Sequence, residues 1–373
     1  MFLSFALAPI VSAYRFGQRV PMTSQHSVNK DRIKPLRKAM YDFTPDGVSA
    51  EIAALFAPDA IIHMAHPFET LAGPDALMAQ ALMPLYQAFP DLERRDYLVM
   101  AGVATNDDGA SDWVGCCGYY TGTFMAPFLD IPPTGHQASM RFHEFYRFED
   151  GKVVEMQSLW DIPEIMMQAG VWPMSPSMGR EWLVPAPATA DGLFLPAWTQ
   201  DSADASVKLV LDMLTGLGKF ATLGAAAMEL ERYWHPHFSW YGPSGIGTGR
   251  GISGFRNWHQ IPFLAAMPDR GAGPGKRYFF GDNDYVGVTA WPGMAMTLSG
   301  DGFLGIVPAD KKITMRSLDF WRCENGLIRE NWVLVDLLHV YNQLGVDVLA
   351  RMRAMTSANP YGPNRQFFEI KPS

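Results

Sequence analysis

Apolar and polar positions follow the same order twice along this chain. Each half opens with stretches of helical period, predicted over Asp31–Met40 and Val48–Phe56 in the first and over Ala205–Leu214 and Ala225–Trp234 in the second. A short alternating strand comes next, near Ala60–Met64 and Phe238–Tyr241. A glycine-marked turn leads into another helical stretch, about Pro74–Phe89 and Ile252–Ala266. Alternating strands then follow, punctuated by hairpin signals at Asn106-Asp107-Asp108-Gly109, Glu149-Asp150-Gly151-Lys152 and Glu324-Asn325-Gly326. Helices first and an antiparallel sheet after is an α+β layout.

The halves are also related residue by residue. Met140–Val171 and Met315–Val346 align without a gap at an offset of 175, with identities such as Arg141/Arg316, Phe145/Phe320, Glu155/Glu330 and Asp161/Asp336. Upstream, an offset of 178 pairs Pro58/Pro236, Gly73/Gly251, Asp91/Asp269, Trp113/Trp291 and Gly122/Gly300, which implies one three-residue deletion between the two blocks. The repeat predicts a first domain over residues 30–178 and a second over 203–356. Flanking them are an extension over 1–29, a Pro/Ala/Ser-rich linker over 179–202 and a tail over 357–373.

Composition narrows the partners. The 373 residues carry a net charge of −8 and no long basic run, which argues against nucleic acid and against an anionic membrane surface. Charged residues are 18% of the chain while aromatics reach 13%, a balance suited to apolar cavities or a large internal interface. The three cysteines, Cys116, Cys117 and Cys323, show no disulfide or metal spacing and fit a reducing, cytoplasmic setting. Met1–Ala13 is apolar but lacks a basic start and is too short to span a bilayer; a secretory signal and a start at Met22 both remain open.

"GTFMAPFLDIPPTG" from Gly122, "FYRFEDGKVVE" from Phe145 and "DIPEIMMQAG" from Asp161, echoed by "FWRCENGLIRE" and "DLLHVYNQLG", resemble the SnoaL-like polyketide cyclase family of the NTF2-like superfamily. The resemblance implies two tandem cones, each a curved sheet wrapped on helices around an apolar cavity. It further implies that the two pack together as an intrachain pseudo-dimer, with a further homodimer left open. This fold hosts many chemistries.

Asp161 and Asp336 sit where the resemblance places a catalytic Asp. Each ends an alternating strand, with Glu330, Trp332, Leu334 and Asp336 on one face. On a dry cavity wall such an acid would have a raised pKa and serve as a general acid/base. The competing reading is a helix cap. Glu144 and Asp319 form a second repeated acidic pair, mid-strand in apolar surroundings, with a structural pair to a repeated Arg as the alternative. His63 and His66, with Tyr241 at the position of His63 in the second half, are candidate ligand contacts. Trp160, Trp332, His143 and Trp240 complete that set. The resemblance also implies a His on a strand beside the catalytic Asp; His143 is the candidate in the first half alone, since Leu318 replaces it in the second. His235 and His237 have metal-like spacing but no third ligand, and His259 reads as packing; no metal or cofactor is expected. The expected function is Asp-mediated proton transfer on a hydrophobic small molecule, of cyclase, isomerase, dehydratase or hydrolase type. A non-catalytic ligand-binding protein is the alternative, and one half serving only as packing partner is a third possibility.

Overall fold

The computed structural model describes residues 25–106, 109–219 and 223–358; the apolar start Met1–Ala13 and Met22 lie outside them. Two sheets form, one per repeat. The first contains β1 (Phe56–Met64), β2 (Thr70–Ala72), β3 (Glu93–Asn106), β4 (Gly109–Thr123), β5 (Gln137–Glu149) and β6 (Lys152–Trp160), in the order β2-β1-β6-β5-β4-β3. The second contains β7 (Trp234–Tyr241), β8 (Thr248–Arg250), β9 (Gly271–Ala272), β10 (Arg277–Asp282), β11 (Tyr285–Leu298), β12 (Lys311–Glu324) and β13 (Leu327–Val335). Its order is β10-β11-β12-β13-β7-β8, with β9 also on β11. In both, the first strand pairs in parallel with the last and the rest run antiparallel. This is the α+β layout, in two tandem copies, that the repeat predicts.

Local chemistry explains the elements. Asp150-Gly151 and Asn325-Gly326 both have positive φ at the two central positions, the mirror-image turn that suits a twisted hairpin. Each second helix contains one π-helical turn, Met78–Leu82 and Arg256–Gln260, directly before Met83-Pro84 and Ile261-Pro262. Proline has no N–H to return to the preceding turn, and a wider turn there absorbs the misfit. The predicted helix Ala225–Trp234 does not form. It is two short 3-10 turns, Ala225–Met228 and Leu230–Arg232, broken by Glu229 in the left-handed region, and Trp234 already begins β7.

Strand register revises two repeat pairs. Trp113 lies opposite Arg147, whereas Tyr285 lies opposite Arg322, so Tyr285 rather than Trp291 is the counterpart of Trp113. Asp91 caps the amide of Thr123 and Asp269 that of Thr297, which moves Gly300 out of register with Gly122. The cause is an irregularity in β11 between Ala290 and Met294.

Each sheet buries one face against its own helices. The other faces meet. An apolar cluster that includes Leu98, Trp113, Phe145, Leu159, Tyr285, Leu318, Phe320, Trp332 and Leu334 lies between the sheets. Phe145 and Phe320, equivalent in the repeat, stack on each other with centroids 4.7 Å apart. Where β3 passes β10, a Cβ on Gly102 would lie 2.6 Å from the carbonyl oxygen of Gly281, so only glycine fits. The segment between the domains is an ordered strap: Val184 N–H donates to the Tyr119 hydroxyl, Pro185 O accepts from Trp332 Nε1, and Val99 N–H donates to Gly192 O. No helix among the described residues is long and apolar enough to cross a membrane.

Candidate active site

Alternation along β5 and β12 sends Glu144 and Asp319 to the helix-facing side, and Arg141, His143, Arg316 and Leu318 to the inter-sheet side. Glu144 is fully engaged. Its carboxylate pairs with the buried Arg94 and accepts from the hydroxyls of Tyr146 and Tyr120 and from Trp160 Nε1 (3.2 Å). Arg94 also pairs with Asp96 at 3.0 Å and lies over the Phe142 ring. The first cone is thereby filled by its own side chains.

The second cone replaces this plug with space. Two adjoining chambers, of about 120 and 220 Å³, share Leu214, Arg270, Met294, Ser317, Asp319 and Trp321 as common walls. The inner one adds Trp234, Trp240, Phe255, His259, Gln260, Phe263 and Asn331. Register shows the exchange: Ala272 stands where the first domain has Arg94, Asn331 where it has Met156, and Ser317 where it has Phe142.

Asp319 forms no ion pair among the described residues. Its one bond accepts from Ser317 Oγ at 2.7 Å, and burial pushes its carboxyl up to about 7. His259 stacks on Trp240 at 4.0 Å, and burial lowers its pKa to about 3, so it is neutral. Trp234 Nε1, Trp321 Nε1, His259 Nδ1 and Gln260 Oε1 are buried without a hydrogen-bond partner. Each costs roughly 1–3 kcal/mol in that state, and all four belong to residues lining one cavity.

The family model for the SnoaL-like polyketide cyclases matches residues 34–169 and 224–344. The chain belongs to that family. Solved structures with a similar fold include AclR, a putative hydroxylase from Streptomyces galilaeus, at 23% identity over 39% of this chain and 86% of that one, with a TM-score of 0.32. Another is a putative SnoaL-like polyketide cyclase from Jannaschia sp. CCS1, at 22% identity over 38% of this chain and 91% of that one (TM-score 0.31). A third is IdmH, a putative polyketide cyclase from Streptomyces antibioticus, at 23% over 38% and 98% (TM-score 0.30). No curated protein matches the chain.

In this SnoaL-like chain the other predicted residues fall elsewhere. Asp161 and Asp336 are buried, but between the sheets rather than on a cavity wall. Asp161 pairs with Arg141 and accepts from the Ser244 amide; Asp336 pairs with Arg316 and accepts from the amides of His66 and His339. The cap reading thus holds for Asp336 within its own domain. Burial still raises both carboxyls, Asp161 to about 6. His143 also lies between the sheets, with Nδ1 2.6 Å from Leu318 O, as do Tyr241 and Trp332. The His66 ring is held by Glu69, and His63 stacks on Trp291. Trp160 belongs to the filled first cone, and of the predicted ligand contacts Trp240 alone lines the open one. No group of three or more His, Cys, Asp or Glu among the described residues could hold a metal ion. Gln260, Ser317, Asn331 and Arg270 were missed, and His259, read as packing, does stack on Trp240 while also lining the chamber. Their signal was a polar residue in one repeat opposite an apolar one in the other, as His259 opposite Ala81 and Gln260 opposite Leu82.

Proposed function

We propose that the second domain is the working half of the protein, that its cavity takes an apolar small molecule, and that Asp319 moves a proton to or from it. The observation that carries this is a carboxyl with no cationic partner among the described residues, pushed up to about 7 by burial, on the wall of an open apolar chamber. Near neutral pH such a group is divided between acid and base, so it can accept a proton from a carbon or donate one to an oxygen. Ser317 holds one carboxylate oxygen of Asp319. The reaction is proton transfer of cyclase, isomerase, dehydratase or hydrolase type. The first domain, its cone closed by Arg94 and Glu144, serves as the packing partner.

A metabolite library screened by thermal shift tests this reading, because a ligand stabilises the folded state by mass action. Hits should disappear in Ser317→Phe, which restores the bulk present in the first cone. For a turned-over hit, Asp319→Asn should keep binding and lower kcat by 10²-fold or more. Unchanged turnover in Asp319→Asn would refute the assignment.

A further inference from the structure

We infer that the molecule held by the second cone carries a carboxylate on an apolar body, and that Arg270 is its counter-ion. This rests on the reading of the second cone as the ligand site and names the class of ligand.

Arg270 lines both chambers. Its guanidinium is charged at any accessible pH. Among the described residues it forms no ion pair. Its neighbours are the Met294 sulfur at 3.9 Å from Nη1 and the Phe263 ring, 5.8 Å from Cζ. A partly buried cation flanked by a thioether and an aromatic ring lacks the anionic partner that buried cations ordinarily have. Its charge reaches the inner chamber, where it helps keep His259 neutral.

The first domain shows what a balanced version looks like. Register places Leu92, buried and apolar, at the position of Arg270. The cation of that cone is Arg94, matched by Glu144 and Asp96. The second domain retains an acid at the Glu144 position, but its cation stands two residues earlier and makes no pair with it. One acid and one cation are thus both left open to the same space. A monoanion suits a single guanidinium, and a carboxylate matches its fork of N–H donors. Trp240, Phe255 and Phe263 supply the apolar wall for the rest of the molecule.

The test uses the full chain at pH 8 and matched probes: 2-naphthoate, decanoate and their methyl esters, measured by titration calorimetry. At least one acid should bind tenfold or more tightly than its ester. Arg270→Met should remove that preference while leaving ester binding in place, and Arg270→Lys should retain part of it. Esters that bind as well as their acids, or an acid preference unchanged in Arg270→Met, overturn the inference. If the esters bind and are displaced by Ser317→Phe, the cone remains a ligand site and the carboxylate assignment alone fails. If no probe binds at all, both readings fall.

Discussion

Asp161 Oδ2 lies 2.9 Å from the amide nitrogen of Ser244, and the two residues belong to different repeats. The equivalent pair, Asp336 and His66, makes the same bond in the opposite direction at 2.9 Å. Arg141 reinforces the first contact through the carbonyls of Gly242 and Val333, and Arg316 the second through Glu69. The two aspartates therefore bridge the repeats. Asp161→Asn and Asp336→Asn should each cost about 1–3 kcal/mol in denaturant unfolding, because a charge-assisted bond to a buried amide is weakened and an arginine is left unbalanced. Turnover per folded molecule should be unchanged. A large fall in kcat without loss of stability would return them to the chemistry.

Glu144 offers the complementary case. Its carboxylate balances Arg94 inside the first cone, with two tyrosine hydroxyls and an indole N–H completing its shell. Glu144→Gln leaves an enclosed guanidinium with Asp96 as its remaining acid. The expected loss is about 3–5 kcal/mol, read from chemical denaturation. Ligand affinity of the second cone should not change. Weakened binding in a variant that still folds would show that the first cone also takes part.

Asp319 should make stability depend on pH. Its folded pKa, about 7, lies above the unfolded value, so the folded state binds the proton more tightly. The unfolded chain therefore releases its proton first, and wild-type stability falls as pH rises from about 4 to 7. Asp319→Asn removes that dependence. The variant should match wild type near pH 4 and exceed it by about 1–3 kcal/mol at pH 8, measured by unfolding at both pH values. Equal stability at pH 8 would mean that the carboxyl is not held in a dry wall.

Much of this was legible in the sequence. The repeat at offset 175 fixed β5, β6 and their counterparts, and the turn pairs Asp150-Gly151 and Asn325-Gly326 took the predicted form. Alternation correctly grouped Glu330, Trp332 and Leu334 on one face, but that face meets the other sheet. A strand buried on both sides offers the same apolar stripe to a cavity and to an interface, so periodicity cannot tell the two apart. The distinction needed a comparison of the copies. Glu144 and Asp319 look alike in sequence, and only Arg94 against Ala272 shows that one is plugged and the other open. Trp291 was mispaired because an irregular strand hides its register from any ungapped alignment.

His259 separates a packing role from a ligand-binding one. The ring stacks on Trp240 and is neutral, yet Nδ1 is buried without a partner. His259→Phe keeps a flat ring for the stack and removes the unsatisfied nitrogen. Free of ligand, the variant should be more stable by about 1 kcal/mol, since a buried polar atom with nothing to bond is lost. With a ligand that bonds Nδ1, the order reverses: affinity should fall by five- to tenfold, because the partner atom on the ligand is then left unpaired. Thermal unfolding with and without a cone ligand reads both effects. A variant that gains stability and loses no affinity would show that His259 packs the chamber and does not contact its occupant.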